Sequence, residues 1–302
     1  MAVAGFNEQF DKHGAWRREM GLRLKVLGDW LREQQLLDDG ADESLQRLIE
    51  QLRSDKVMVA FVAEFSRGKS ELINAVFFAG YGRRIMPASA GRTTMCPTEL
   101  GYEADLPPCL RLLPIETRLQ PQALLEWRMV PEKWTRVDLD VNDPEQLAGA
   151  MEKVSEVLHV TKDEARALGF WHDDRPEDNP PDTATGDDEV PRWRHALINM
   201  AHPLLKQGLV VLDTPGLNAI GAEPELTVNL IPQAQAVVFI LAADTGVTKS
   251  DLTIWREHLA TMEDSAGTRF VVLNKIDTLW DELSSAAQIE AQIGRQRTDT
   301  AQ

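Results

Sequence analysis

The chain has 302 residues, 43% hydrophobic and 26% charged, with a formal net charge of −16. That length supports one large domain or a domain with a small appendage. The acidic balance excludes the broad basic face that nucleic-acid binding needs, so no nucleic acid is expected as a partner. No apolar run approaches the roughly 20 residues of a membrane span, and the first residues lack the basic flank and apolar stretch of a secretory leader. Cys96 and Cys109, the two cysteines, offer no disulfide framework; the expected compartment is the cytoplasm.

Residues 14–54 read as helical. In the second half, Leu45, Leu48, Ile49 and Leu52 fall at i, i+3, i+4 and i+7 and draw one apolar stripe. Earlier, Leu22, Leu24, Val26, Leu27, Trp30 and Leu31 make a broader apolar surface, which suits either packing against the rest of the protein or docking of a partner segment. From residue 57 the texture changes to short apolar runs rich in β-branched residues: VMVAFV (57–62), LRLLPI (110–115), LVVL (209–212), AVVFIL (236–241) and FVVL (270–273). Separated by helical patterns, these runs predict an α/β fold with a mainly parallel sheet covered by helices on both faces. A further helix is predicted within 145–168, with Leu147, Met151, Val154 and Leu158 on one side, inside an insertion spanning about 104–208. From His172 to Val190, eight acidic residues stand against one arginine, a local charge of −7. Such a segment cannot bury a core and is predicted to be a solvated loop; an acidic metal cluster is the livelier alternative, without a spacing that fixes ligand geometry.

Three segments carry chemistry. AEFSRGKS (63–70) lies between a predicted strand and the helix ELINAVFFAG, the context of a phosphate cradle. Loop N–H groups from Glu64, Phe65, Ser66, Arg67 and Gly68, with the positive end of the following helix, would meet phosphate charge. Lys69 would reach the β and γ phosphates, and the Ser70 hydroxyl would ligate Mg²⁺. Ala63 stands where the pattern begins with glycine, and the expected cost of its methyl group is strain. Next, LVVLDTPGLN ends a strand in Asp213, which can hold Mg²⁺ through water, and continues to Gly216, whose N–H can sense a γ-phosphate; a plain Asp-Thr-Pro-Gly turn is the competing interpretation. Last, FVVLNKID ends a strand in Asn274, Lys275 and Asp277. A carboxylate at Asp277 can accept from the N1–H and exocyclic amine of guanine, which adenine cannot offer, so GTP is selected over ATP. Asn274 would tie this loop to the phosphate loop, and the Lys275 stem would lie along the base.

FSRGKSELINA, TTMCPTEL, DTPGL and NKID, over about 55–280, resemble the GTPase domain of bacterial dynamin-like proteins. The resemblance implies a P-loop NTPase fold preceded by a helical segment (1–54), with a GTPase domain over 55–302. It also implies Mg²⁺-dependent conversion of GTP to GDP. By the same resemblance Thr94, with Thr93 as close competitor, is the first-switch threonine that joins the metal ligands Ser70 and Asp213. Ser66 sits where dynamins keep a serine that organises the attacking water and a monovalent cation. Arg67 has two open readings, on phosphate or in solvent. Leu217 stands where small signalling GTPases place a water-orienting glutamine. Hydrolysis is therefore expected to use backbone groups, Thr94, a cation near Ser66 and dimerisation across the nucleotide face, with Ser66, Lys69, Thr94 and Gly216 as the catalytic set. Membrane lipid is implied as a partner by resemblance only, with a location in the cytoplasm peripheral to the membrane.

After Asp277 the remaining residues read as a polar helix, so the domain reads as incomplete at its C terminus. The competing function is a truncated nucleotide-binding or assembly module without effective catalysis. A translation-type GTPase fits the charge and the acidic insertion poorly.

Overall fold

A computed structural model describes residues 2–34, 36–37, 39–53, 56–87, 96–171, 173, 188–215, 230–259, 268–280 and 285–301. Two compact units divide the chain, Met1–Val57 and Met58–Gln302.

The first unit is a pair of helices, α1 (Ala2–Glu33) and α2 (Asp39–Arg53), where the sequence suggested one helical stretch. Gly28 lets them meet closely, since a Cβ there would stand 2.6 Å from Leu45 Cδ2. Arg32, in the last turn of α1, donates to Asp42 of α2 at 2.7 and 2.9 Å and to Asp29 at 2.8 Å. Of the apolar stripe, Ile49 is buried and Leu48 is exposed; Leu22, Val26, Leu27 and Trp30 are exposed on α1.

In the second unit the strands are β1 (Val57–Ala63), β2 (Thr98–Gly101), β3 (Cys109–Pro114), β4 (Thr135–Asp138), β5 (Val157–Val160), β6 (Asp188–Pro191), β7 (Trp193–Asn199), β8 (Leu209–Asp213), β9 (Ala236–Ala242) and β10 (Thr268–Asn274). Eight of them form one sheet in the order β10-β9-β1-β8-β2-β7-β3-β4. The β10, β9 and β1 ladders are parallel. The inserted strands extend the sheet beyond β8: β2 runs antiparallel to β8 and parallel to β7, while β3 runs antiparallel to both β7 and β4.

Period-2 alternation sends neighbouring side chains to opposite faces, and in the central strands β7 and β8 both faces are buried. On one face Leu110, Leu112, Ala196, Ile198 and Val211 pack under Ile73 and Phe77 of α3 (Lys69–Phe77). The same face is covered by Leu147 and Met151 of the helix Pro144–Glu152. On the other face Leu113, Leu197, Leu212, Val237 and Phe239 pack under Leu124 and Trp127 of α4 (Leu124–Trp127) and under Ile254.

The helix predicted over 145–168 is a correction. It ends as α5 (Pro144–Glu152), turns through Lys153–Ser155, becomes β5 and restarts as α6 (Lys162–Ala167). Leu147, Met151 and Val154 do share a buried face, but Leu158 lies opposite Val190 in the β5–β6 pair. The β-branched Val157 and Val160 favour the strand, and the Thr161–Glu164 capping box restarts the helix. The partner strand β6 takes Asp188, Glu189 and Val190 out of the expected solvated loop, with Asp188 and Val190 buried. The rest of that acidic segment, apart from Asp173, lies outside the described residues.

Between β7 and β8 lies α7 (Pro203–Lys206), and after β9 comes α8 (Lys249–Ile254), which continues into a π-helical turn Trp255–Leu259. The polar helix expected near the end is α9 (Ala286–Ala301), whose Gln296 donates to the Ala243 carbonyl at 3.0 Å.

Candidate nucleotide site

The site forms at the carboxyl ends of β1, β8 and β10. Ala63 is the last residue of β1, fully buried and paired with Ile240 of β9. Its backbone is ordinary strand, without a positive φ, so the chain itself carries no backbone strain at this position. The turns are made by Ser66 (φ 64°) and Gly68 (φ 84°). Serine in the left-handed region is uncommon and costs energy, so other contacts must hold the loop.

Two sets of contacts do so. Asn274, at the end of β10, donates from Nδ2 to the Arg67 carbonyl at 2.9 Å. A Cβ on residue 68 would stand 2.5 Å from that same nitrogen, so glycine is required by both φ and space. The Arg67 side chain takes neither of its two open readings. It is buried and donates to Asp251 (2.9 and 3.3 Å), Glu64 (2.5 Å), Thr248 (3.1 Å) and Thr245. Any phosphate contact from Arg67 therefore falls to its main-chain N–H. Glu64 turns its carboxylate to Arg67 and Thr248, whereas Phe65 and Ser66 are exposed.

Lys69 and Ser70 open α3, where the first-turn N–H groups have no intrahelical acceptor. The Lys69 ammonium is ion-paired with Asp213 Oδ1, and both side chains are buried. Asp213 Oδ2 is buried without a hydrogen-bond partner. An acceptor so placed, with the Ser70 hydroxyl in the adjoining helical turn, forms an all-oxygen donor set that fits a hydrated Mg²⁺. Just beyond Asp213, Thr214 donates to the Phe61 carbonyl at 2.8 Å and pins the end of β8 to β1.

Lys275 also adopts a left-handed conformation (φ 55°). Its Cε lies 4.0 Å from where a Gly68 Cβ would be, and its ammonium pairs with Asp244 at 3.0 Å. Asp277 is exposed in the turn Ile276–Leu279. Thr93, Thr94, Gly216 and Leu217 lie outside the described residues.

Sequence reasoning missed Thr214, Asp244, Thr245, Thr248 and Asp251. The last two carried a signal, Thr-x-x-Asp ahead of an apolar residue, and the capping box is formed: Asp251 accepts from Thr248 N at 2.9 Å and from Thr248 Oγ1 at 2.8 Å. Also missed was a buried cluster that joins β2 to the insertion, where Glu99 of β2 accepts from Arg128 and lies 3.0 Å from His195 Nε2 of β7. Burial alone would raise the Glu99 pKa, but His195 and Arg128 together hold it below the ordinary carboxylate value.

Comparison with known proteins gives the same direction. The dynamin family model matches residues 59–276. A curated relative, the bacterial dynamin-like protein of Nostoc punctiforme (strain ATCC 29133 / PCC 73102), is 22% identical over 303 residues, covering 96% of this chain and 36% of the relative. The chain thus spans about a third of that relative's length. Two solved structures of an oligomerised bacterial dynamin pair, described in connection with long-range sensing and tethering of membranes, are also similar. One shows 15% identity, TM-score 0.46 and coverage of 94% of this chain and 35% of its own. The other shows 16% identity, TM-score 0.42 and coverage of 94% and 42%. With its family matched over most of its length, the chain belongs to the dynamin family, whose members are GTPases, and carries the dynamin GTPase fold.

Proposed function

We propose that the chain binds GTP and hydrolyses it to GDP and phosphate, as the guanine-nucleotide unit of a dynamin-like machine that acts on membranes through nucleotide-dependent self-association. In this reading 1–54 is a helical appendage and 55–302 the GTPase domain, with 104–208 inserted. The observation that carries it is the Asn274 amide bonded to the Arg67 carbonyl, which locks a loop with two left-handed residues against the strand end bearing Lys275 and Asp277.

Main-chain N–H groups of residues 64–70 and the start of α3 receive the phosphates. Lys69 exchanges Asp213 for phosphate oxygens, and Asp213 then accepts from water around the metal. Ser70, Thr94 and, through water, Asp213 would hold Mg²⁺, which would supply charge neutralisation at the phosphates. Asp277, exposed and rigidly based on a turn, accepts the two guanine donors, and the Lys275 stem covers the base. Water attack at the γ-phosphorus expels GDP. Because Leu217 offers no polar group, Thr94, Gly216 N–H and Ser66, with a monovalent cation beside Ser66, orient that water.

Among the described residues no helix is long and apolar enough to cross a membrane; in this reading lipid contact is peripheral, from the cytoplasm. Phe270 and Val271 are exposed on β10, which among the described residues is one of the two edge strands of the sheet. They favour, as a second reading, an assembly module with weak catalysis.

Calorimetry with GTP, GDP and ATP in Mg²⁺ tests the first step. Micromolar guanine-nucleotide affinity, absent for ATP and lost in Lys69→Ala, is expected; equal affinity for ATP would overturn the guanine assignment. Phosphate release per chain should rise with protein concentration, and a flat profile would sink self-association.

A further inference from the structure

We propose that Arg67 is a positioning residue, acting through the backbone of the phosphate loop and tying its shape to the segment that follows β9. The inference rests on the reading of that loop as a nucleotide site.

Arg67 lies between the two left-handed residues, Ser66 and Gly68. Its main chain and side chain are pulled in opposite directions. The carbonyl accepts from Asn274 at the end of β10, while the guanidinium forms a two-pronged pair with Asp251 and reaches Thr245, Thr248 and Glu64. A planar fork can serve several acceptors at fixed angles, which a lysine cannot do. Both charges of the Arg67–Asp251 pair are buried, at 5% and 0% side-chain exposure. Asp251 is itself fixed as the capping-box acid at the start of α8. Residue 67 is therefore anchored at both ends, and the unfavourable φ of Ser66 persists because its neighbour cannot turn. A loop held in this shape keeps its N–H groups convergent before an anion arrives, so binding need not order it. Arg67 touches no phosphate with its side chain; it sets where the N–H donors point.

The test compares the full chain with Arg67→Ala, Arg67→Lys, Asp251→Asn and the double variant Arg67→Ala/Asp251→Asn. Dissociation of fluorescent GDP and the thermal midpoint are read for each. Arg67→Ala should release GDP at least about tenfold faster, the scale of one lost charge-assisted bond, with Arg67→Lys intermediate. Arg67→Ala also leaves Asp251 buried without its cation, which destabilises the fold. The double variant removes that charge, so its midpoint should recover while release stays fast. Recovery of both together would mean that Arg67 only supports the fold, and the proposal would fail; so would release from Arg67→Ala at the wild-type rate. Amide hydrogen exchange at residues 64–70 without nucleotide gives a separate readout: faster exchange in the double variant supports the proposal, and unchanged exchange overturns it. A wild-type chain that binds no GDP would refute the nucleotide reading, while the exchange result would still decide whether Arg67 orders the loop.

Discussion

A side chain on residue 68 would begin 2.5 Å from the Asn274 amide nitrogen, the same nitrogen that holds the Arg67 carbonyl. The loop of residues 64–68 and the strand end that leads into Lys275 and Asp277 are therefore in direct contact. Gly68→Ala would pay about 1–2 kcal/mol for a left-handed residue and would also displace Asn274. We expect guanine-nucleotide affinity to fall by at least about tenfold with a lower thermal midpoint, measured by calorimetry and a melting curve; unchanged affinity would show that the loop tolerates a methyl group.

Ala63→Gly should behave oppositely. Ala63 is a buried strand residue with ordinary backbone, so placing there the glycine that begins the phosphate-loop pattern removes packing and adds unfolded-state freedom. A loss of roughly 0.5–1 kcal/mol of stability is expected, with nucleotide affinity unaltered. A gain in affinity would mean that the methyl group obstructs the cradle.

His202 supplies a pH dependence. Its Nδ1 accepts from Leu204 N at 3.3 Å at the start of α7, and its ring meets Phe77 edge-on at 5.2 Å. Burial lowers its pKa from the ordinary 6.5, so the unfolded chain binds the proton more readily. The contribution is fully present above about 6.5 and is lost as pH falls through the lower folded value. Chemical-denaturation stability should decline on acidification below neutrality, and His202→Asn, which keeps a capping acceptor, should flatten that slope.

Glu99 acts at lower pH. Although burial opposes its charge, His195 and Arg128 depress its pKa; its contribution is present above the unfolded carboxylate value and is lost as pH falls through the lower folded one. Arg128→Ala removes the permanently charged neighbour, so the Glu99 pKa should rise and acid unfolding should begin at higher pH. An unmoved acid midpoint would show that His195 alone suffices.

What was legible in the sequence were features set by neighbouring residues. Apolar runs located the ends of β1, β8 and β10 because each strand runs directly into the polar residues that begin at Glu64, Asp213 and Asn274. The stripe Leu147, Met151 and Val154 was sound, but extending it to Leu158 failed, because the strand there depends on β6, some thirty residues away in the chain. Arg67 was illegible for the same reason: Asp251 lies 184 positions further on, and no local pattern distinguishes a buried fork from a solvated one. Thr-x-x-Asp at 248–251 announced a helix start without revealing that the same carboxylate would serve the phosphate loop.

In the antiparallel ladder of β2 and β8, Thr98 faces Asp213. The chain enters one strand and leaves the other on the same rung, so Thr98 at the start of β2 and Asp213 at the end of β8 are held side by side. Displacing either strand end moves the other through their backbone ladder. Through that rung β2, β7, β3 and β4, which continue the sheet on that side, are joined to the strand that carries the lysine-bound carboxylate.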